Sequence, residues 1–110
     1  MEVNNQIRYQ LYFYVPKSDL EKVKAALFAL GVGTQGDYSN CCWQVKGEGQ
    51  YFPHEEANPV IGNNNQLCHE TEYKVEMLCF EECIEQAVKV LKETHPYEEP
   101  AYGVLKLENF

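Results

Sequence analysis

The chain has 110 residues and a formal net charge of −8, with 45% apolar and 13% aromatic residues. That length suits one domain (1–110) that buries roughly two-thirds of the surface its unfolded chain exposes. The acidic balance speaks against a nucleic-acid partner, which needs clustered Lys and Arg, and against an anionic membrane surface; no apolar run reaches the about 18 residues of a bilayer span.

Met1–Gln6 is polar and expected to be loose. From Arg8 to Val15 the residues alternate, with Tyr9, Leu11, Phe13 and Val15 on one face, which predicts a strand against a core. Tyr12 and Tyr14 fall on the reverse face, so a neighbour, such as another subunit, is expected to cover it. After Pro16-Lys17, Ser18-Asp19-Leu20-Glu21 has the capping-box pattern, and Leu20, Val23, Leu27 and Leu30 follow at helical spacing. Gly31 supplies a left-handed stop.

Gly31–Tyr38 is glycine-rich, but it lacks the Lys-Ser/Thr of a phosphate loop and follows a helix, so it reads as a tight connector. Tyr38–Lys46 is predicted as a strand with Cys41, Trp43 and Val45 on one face. Gly47-Glu48-Gly49 then reads as a turn, and Gln50-Tyr51-Phe52 as a short partner strand ended by Pro53. Residues 53–69 have no periodicity; Asn58-Pro59 and Gly62-Asn63 supply turn chemistry, and Val60 and Ile61 an apolar anchor.

Glu72–Phe80 alternates again, with Tyr73, Val75, Met77 and Cys79 inward. Glu81 and Glu82 suit the positive end of a second helix carrying Ile84, Ala87, Val88 and Leu91 and stopping before Pro96. Tyr102–Leu107 is the last strand. Between helix and strand lies His95-Pro96-Tyr97-Glu98-Glu99-Pro100-Ala101, where two prolines predict a stiff connector that displays an imidazole, a phenol and two carboxylates. Shifting the chain by about 64 positions lays Tyr9–Leu30 over Tyr73–Thr94, mostly apolar on apolar. A doubled βαβ unit of this kind is an α+β, ferredoxin-like (βαβ)2 sandwich, one antiparallel sheet with both helices on one face.

Five cysteines (41, 42, 68, 79 and 83) are odd in number and show no Cys-x-x-Cys spacing. With no secretory signal they point to free thiols in a reducing, cytoplasmic compartment. Three clusters bear chemistry. His95 with Glu98 and Glu99 offers imidazole and carboxylate ligands for a divalent metal, Zn or Cu; alternatively His95 caps the helix C-terminus as a cation while the glutamates sit in water. His54, Cys68 and His69 flank the irregular loop with a spacing that matches no zinc motif. Tyr38, Cys41 and Trp43 beside the glycine segment, with Tyr97, offer an aromatic pocket for a small molecule, or else a core or interface stripe. No complete catalytic constellation is visible.

The His95–Tyr102 octet, with Gly31–Phe52 and Ala57-Asn58-Pro59-Val60-Ile61-Gly62, resembles the inserted domain of the NIF-three-like (NGG-interacting factor; GTP cyclohydrolase type-two-like) proteins, from about residue 8 to 107. The sequence departs from that pattern at Gln35, usually apolar, and at Asn63-Asn64-Asn65, where a Gly is usual. In full-length relatives the module interrupts a larger domain with a two-metal site of His, Asp and Glu. The resemblance therefore implies a free-standing insert to which the metallohydrolase activity does not carry over. The insert is similar in fold to the CutA divalent-cation tolerance and PII signalling proteins, which form trimers; CutA proteins also carry a His-Pro-Tyr segment followed by Pro. The expectation is a non-catalytic small-ligand or metal-binding, regulatory or assembly module that forms a dimer or trimer. The alternatives are an enzyme with a subunit-boundary site built from His95, Glu98, Tyr38 and Cys41, and a module that docks on a metal-binding host protein through its sheet edge.

Overall fold

Strand β1 (Arg8–Pro16) places Leu11, Phe13 and Val15 fully out of solvent on one face and turns Tyr12 and Tyr14 to the other, as its two-residue period requires. The computed structural model describes residues 6–110. The loose start expected over Met1–Gln6 lies outside them except for Gln6. That residue is tied down: its side chain donates to Glu82 at 3.3 Å and its carbonyl accepts from Asn109 at 3.0 Å.

Helix α1 (Lys17–Phe28) follows β1 with no intervening loop, Pro16 serving as its extended N-cap. The capping box expected from Ser18 and Glu21 does not form. Ser18 is already inside the first turn, where its hydroxyl donates to the Asp19 carboxylate at 2.7 Å, and Glu21 pairs with Lys24 at 3.1 Å. Leu20, Val23 and Leu27 form the buried stripe. The helix ends as expected at Gly31, whose φ of 92° lets the Val32 amide reach the Leu27 carbonyl (3.3 Å) and its own amide reach that of Phe28 (2.9 Å).

Strand β2 (Trp43–Tyr51) corrects the sequence reading at both ends. It begins at Trp43 because the preceding segment bonds elsewhere: the Cys41 amide donates to Gly33, whose own amide donates to Leu78. It then runs straight through Gly47-Glu48-Gly49, pairing those residues with Glu72, Thr71 and Glu70, so there is neither a turn nor a separate partner strand. A Cβ at Gly49 would collide with the Glu72 carboxylate, so the glycine serves a close cross-strand approach and not chain reversal. Given this longer partner, β3 (Cys68–Phe80) starts four residues before the expected Glu72.

Helix α2 (Glu81–Thr94) begins at the same offset from β3 as α1 does from β1, with Glu81 and Glu82 in its first turn and Ala87 and Leu91 buried. Strand β4 (Tyr102–Leu107) completes an antiparallel sheet of order β2-β3-β1-β4. The two helices pack on each other and on one sheet face, and the core lies between, built from the inward residues of β1 and β3 and the buried helix stripes. The duplicated ferredoxin-like arrangement expected from the sequence is therefore the observed one. On the open face the Tyr12 and Tyr14 rings meet edge to face at 6.3 Å. Lys74 lies over both rings and pairs with Glu76 at 3.3 Å. Among the described residues no helix is long and apolar enough to cross a membrane.

Candidate functional site

The connector between α2 and β4 is organised by a buried histidine. His95 is the C-cap of α2, its amide bonding the Leu91 carbonyl at 2.9 Å, and its extended backbone leads into Pro96. The ring crosses to β1, where Nε2 lies 2.7 Å from the Tyr14 carbonyl oxygen, while Nδ1 lies 3.1 Å from the Tyr97 amide nitrogen. A carbonyl only accepts and an amide N–H only donates, so the ring is the neutral Nε2–H tautomer. Burial pushes its pKa below the ordinary value; the bond to Tyr14 and the charges of Glu72 and Asp19 pull the other way without reversing the shift. His95 is thus not displayed, nor is it a cationic helix cap.

The imidazole holds Tyr97 in place, the two rings lying 5.0 Å apart. Tyr97 turns its ring toward Tyr51 of β2 at 6.2 Å, and its hydroxyl is buried with no partner at hydrogen-bonding geometry. The nearby Glu72 carboxylate is not an ideally placed acceptor, yet with burial it drives the phenol pKa far up, and Tyr97 stays protonated. The Tyr51 pKa is raised as well, by burial first and then by Cys68, Glu70 and Glu72; its hydroxyl donates to the Ile61 carbonyl at 2.7 Å.

That last bond belongs to the folding of the long loop between β2 and β3. Its organiser is Asn64, whose side-chain amide lies 2.8–3.0 Å from the carbonyls of His54, Glu55 and Ala57. Next to it Asn65 adopts a φ of 61°, a left-handed conformation that Asn tolerates. Pro53 is buried and accepts from the Asn65 amide at 2.6 Å. The apolar anchor expected from Val60 is not one: that side chain is 62% exposed.

Loop and connector face each other across a cleft of about 320 Å³. Its floor is the end of the sheet, with Tyr14, Tyr51 and Glu72. One wall is Phe52, Pro53, Ala57 and Pro59–Ile61 from the loop; the other is Tyr97, Glu98, Glu99 and Ala101 from the connector. Glu98 closes one end by accepting the Asn58 amide at 3.3 Å. The cleft is a largely apolar slot with carboxylates at its edges, of a size that suits a small molecule.

Of the four residues expected to bind a ligand, only Tyr97 lines this cleft. Tyr38 sits on a turn closed with Gln35 and is 75% exposed, Cys41 directs its thiol at the Ser39 carbonyl (3.7 Å), and Trp43 is 60% exposed on the open sheet face. None of these three lines the cleft, and the strand that was to align them starts only at Trp43. Glu98 and Glu99 are in the cleft, but His95 lies behind it with both ring nitrogens engaged. Among the described residues no three His, Cys, Asp or Glu are grouped to hold a metal ion. The loop-flanking trio is dispersed too: His69 pairs with Glu48 at 2.8 Å, His54 meets the Phe52 ring at a tilt with centroids 5.3 Å apart, and Cys68 packs under Gly62. The sequence assigns no ligand role to the floor residues Tyr14, Tyr51 and Glu72, although it places Tyr14 on the face turned away from the core.

The architecture is that of the CutA1 proteins. The crystal structure of CutA1 from Ehrlichia chaffeensis, described as a divalent ion tolerance protein, superposes with a TM-score of 0.70 at 14% identity, over 97% of this chain and 87% of that one. A Bacillus cereus protein related to NIF3 superposes with a TM-score of 0.83 at 28% identity, over 99% of this chain but 28% of its own. The GTP cyclohydrolase 1 type 2 homolog of Mycobacterium tuberculosis is 38% identical over 94 residues, 86% of this chain and 25% of that protein. No family model matches the chain. Over most of its length the chain is a homologue of NIF3-family proteins, as the sequence resemblance implied, and it spans about a quarter of the length of the curated relatives it matches.

Proposed function

We propose that this chain is a non-catalytic module that binds a small ligand in the cleft between the 95–101 connector and the 53–67 loop, and that it acts in regulation or assembly. The observation that carries the reading is the convergence of two segments, far apart in sequence, on one preformed slot with a rigid frame: His95 fixes the connector and Asn64 the loop. Neither support offers a nucleophile with an adjacent base, which is why a binding role is preferred to an enzymatic one. The reading also places the protein in a dimer or trimer built over the open sheet face, where Trp43 and Leu105 are exposed.

The test is a screen of small metabolites by amide chemical-shift perturbation on the purified chain. Hits are expected to move Tyr14, Tyr51, Ala57 and Tyr97 together. Hits that move only the Tyr38–Trp43 segment would reverse the assignment of the site.

A further inference from the structure

Resting on the reading of the cleft as a ligand site, we propose that its ligand is an organic cation, an ammonium or guanidinium group carried on an apolar body. The lining contains three carboxylates, Glu72, Glu98 and Glu99, and no Lys, Arg or His. An anion entering the slot would meet charges of its own sign only. A neutral apolar molecule would cover the half-buried Glu72 carboxylate without pairing it, and a desolvated unpaired charge is expensive. A cation satisfies it. The aromatic rings of Tyr14, Tyr51, Phe52 and Tyr97 supply the second half of the fit, faces that attract a cation and flat apolar surface for the body that carries it.

An independent observation locates the cationic head. The buried Tyr97 hydroxyl makes no hydrogen bond of good geometry; the Glu72 carboxylate beside it can accept its O–H, which leaves the phenol oxygen open to a donor that a ligand brings. Its oxygen has free lone pairs, and Glu72 is close by in the same lining. One N–H of the ligand reaching the phenol oxygen and another reaching the Glu72 carboxylate would satisfy both. The protein holds that carboxylate ready, because it lies over the bare backbone of Gly49, where any side chain would displace it. Glu98, already accepting from Asn58, and Glu99 stand at the connector wall as the outer pair of charges.

Three probes of one shape and different charge test the proposal on the full chain: phenethylamine, phenethyl alcohol and phenylacetate, titrated by amide chemical-shift perturbation. The amine is expected to bind in the cleft at least about tenfold more tightly than the alcohol, and phenylacetate not at all. Glu72→Gln should remove most of that preference. Tyr97→Phe should weaken the amine about threefold to tenfold and leave phenethyl alcohol unchanged; a purely structural Tyr97 would weaken both probes alike. If the alcohol or phenylacetate shifts the cleft residues as strongly as the amine, the cation assignment falls and the ligand site stands. If no probe of any charge shifts them, both fall.

Discussion

At the scale of single residues, His95 sets the terms. A buried imidazole that bridges a strand carbonyl and a connector amide is neutral in the folded state, and its pKa is lowered by burial. The unfolded chain, with an ordinary value near 6.5, binds the proton more readily. Stability is therefore greatest above about pH 6.5 and declines as the pH falls from there toward the folded pKa. Urea midpoints measured between pH 8 and pH 5 should show the decline in wild type and less of it in His95→Ala. The substitution leaves the Tyr14 carbonyl and Tyr97 amide without their partner and should cost about 2–4 kcal/mol at pH 8. The same geometry bears on metals. A Zn²⁺ or Cu²⁺ ion could take His95 only by displacing one of these backbone groups, so calorimetric titration should give equal affinities for wild type and His95→Ala. A drop of tenfold or more in the variant would restore His95 as a ligand.

At the scale of elements, the sequence was readable wherever burial imposed a period. The two-residue alternation of β1 and β3 and the stripes Leu20-Val23-Leu27 and Ala87-Leu91 follow from a core on one side only. Glycines divide into legible and illegible ones for a physical reason. Gly31 ends a helix by local geometry, which local sequence reveals. Gly49 makes room for a side chain 23 residues away in sequence, Glu72, and a local reading mistakes it for a turn. The cleft was illegible on the same grounds: His95-Pro96-Tyr97 drew attention, but its opposite wall exists only because Asn64 folds a loop back over it. Two glycines in one segment give a matched test of local against tertiary demand. Gly31 at φ 92° has nothing within 4 Å of where a Cβ would sit, whereas a Cβ at Gly33, φ 79°, would press on the Cys41 backbone. Gly31→Ala should cost about 1–2 kcal/mol, from the left-handed conformation alone. Gly33→Ala adds a clash with backbone that cannot rotate away, and should cost about 3 kcal/mol or more by urea denaturation. Equal costs would mean that the Gly33–Cys41 approach does not hold in solution.

At the scale of the whole molecule, the unresolved demand is the uncovered side of the sheet. Register puts Trp43, Glu76, Tyr12 and Gly103 in one row across all four strands and Val45, Lys74 and Tyr14 in the next, while Leu105 sits beside Gln10 on the β4 edge. Trp43, Val45 and Leu105 are exposed there, and Lys74, which lies over Tyr12 and Tyr14, is already paired with Glu76. An acidic chain gains nothing in solubility by keeping a Trp and a Leu on that surface, whereas a sister chain laid across it would bury them. Trp43→Glu with Leu105→Glu separates the alternatives, because both side chains are exposed in the single chain and neither touches the core cluster. If sister chains cover the face, wild type should sediment as a dimer or trimer with a melting temperature that rises with protein concentration. The double variant should sediment as a monomer whose melting temperature does not depend on concentration, since two buried carboxylates facing a neighbour cost more than such an interface returns. A wild-type monomer at every concentration would leave the open face as the chain's own solvent surface and confine its ligand chemistry to the cleft of a single copy.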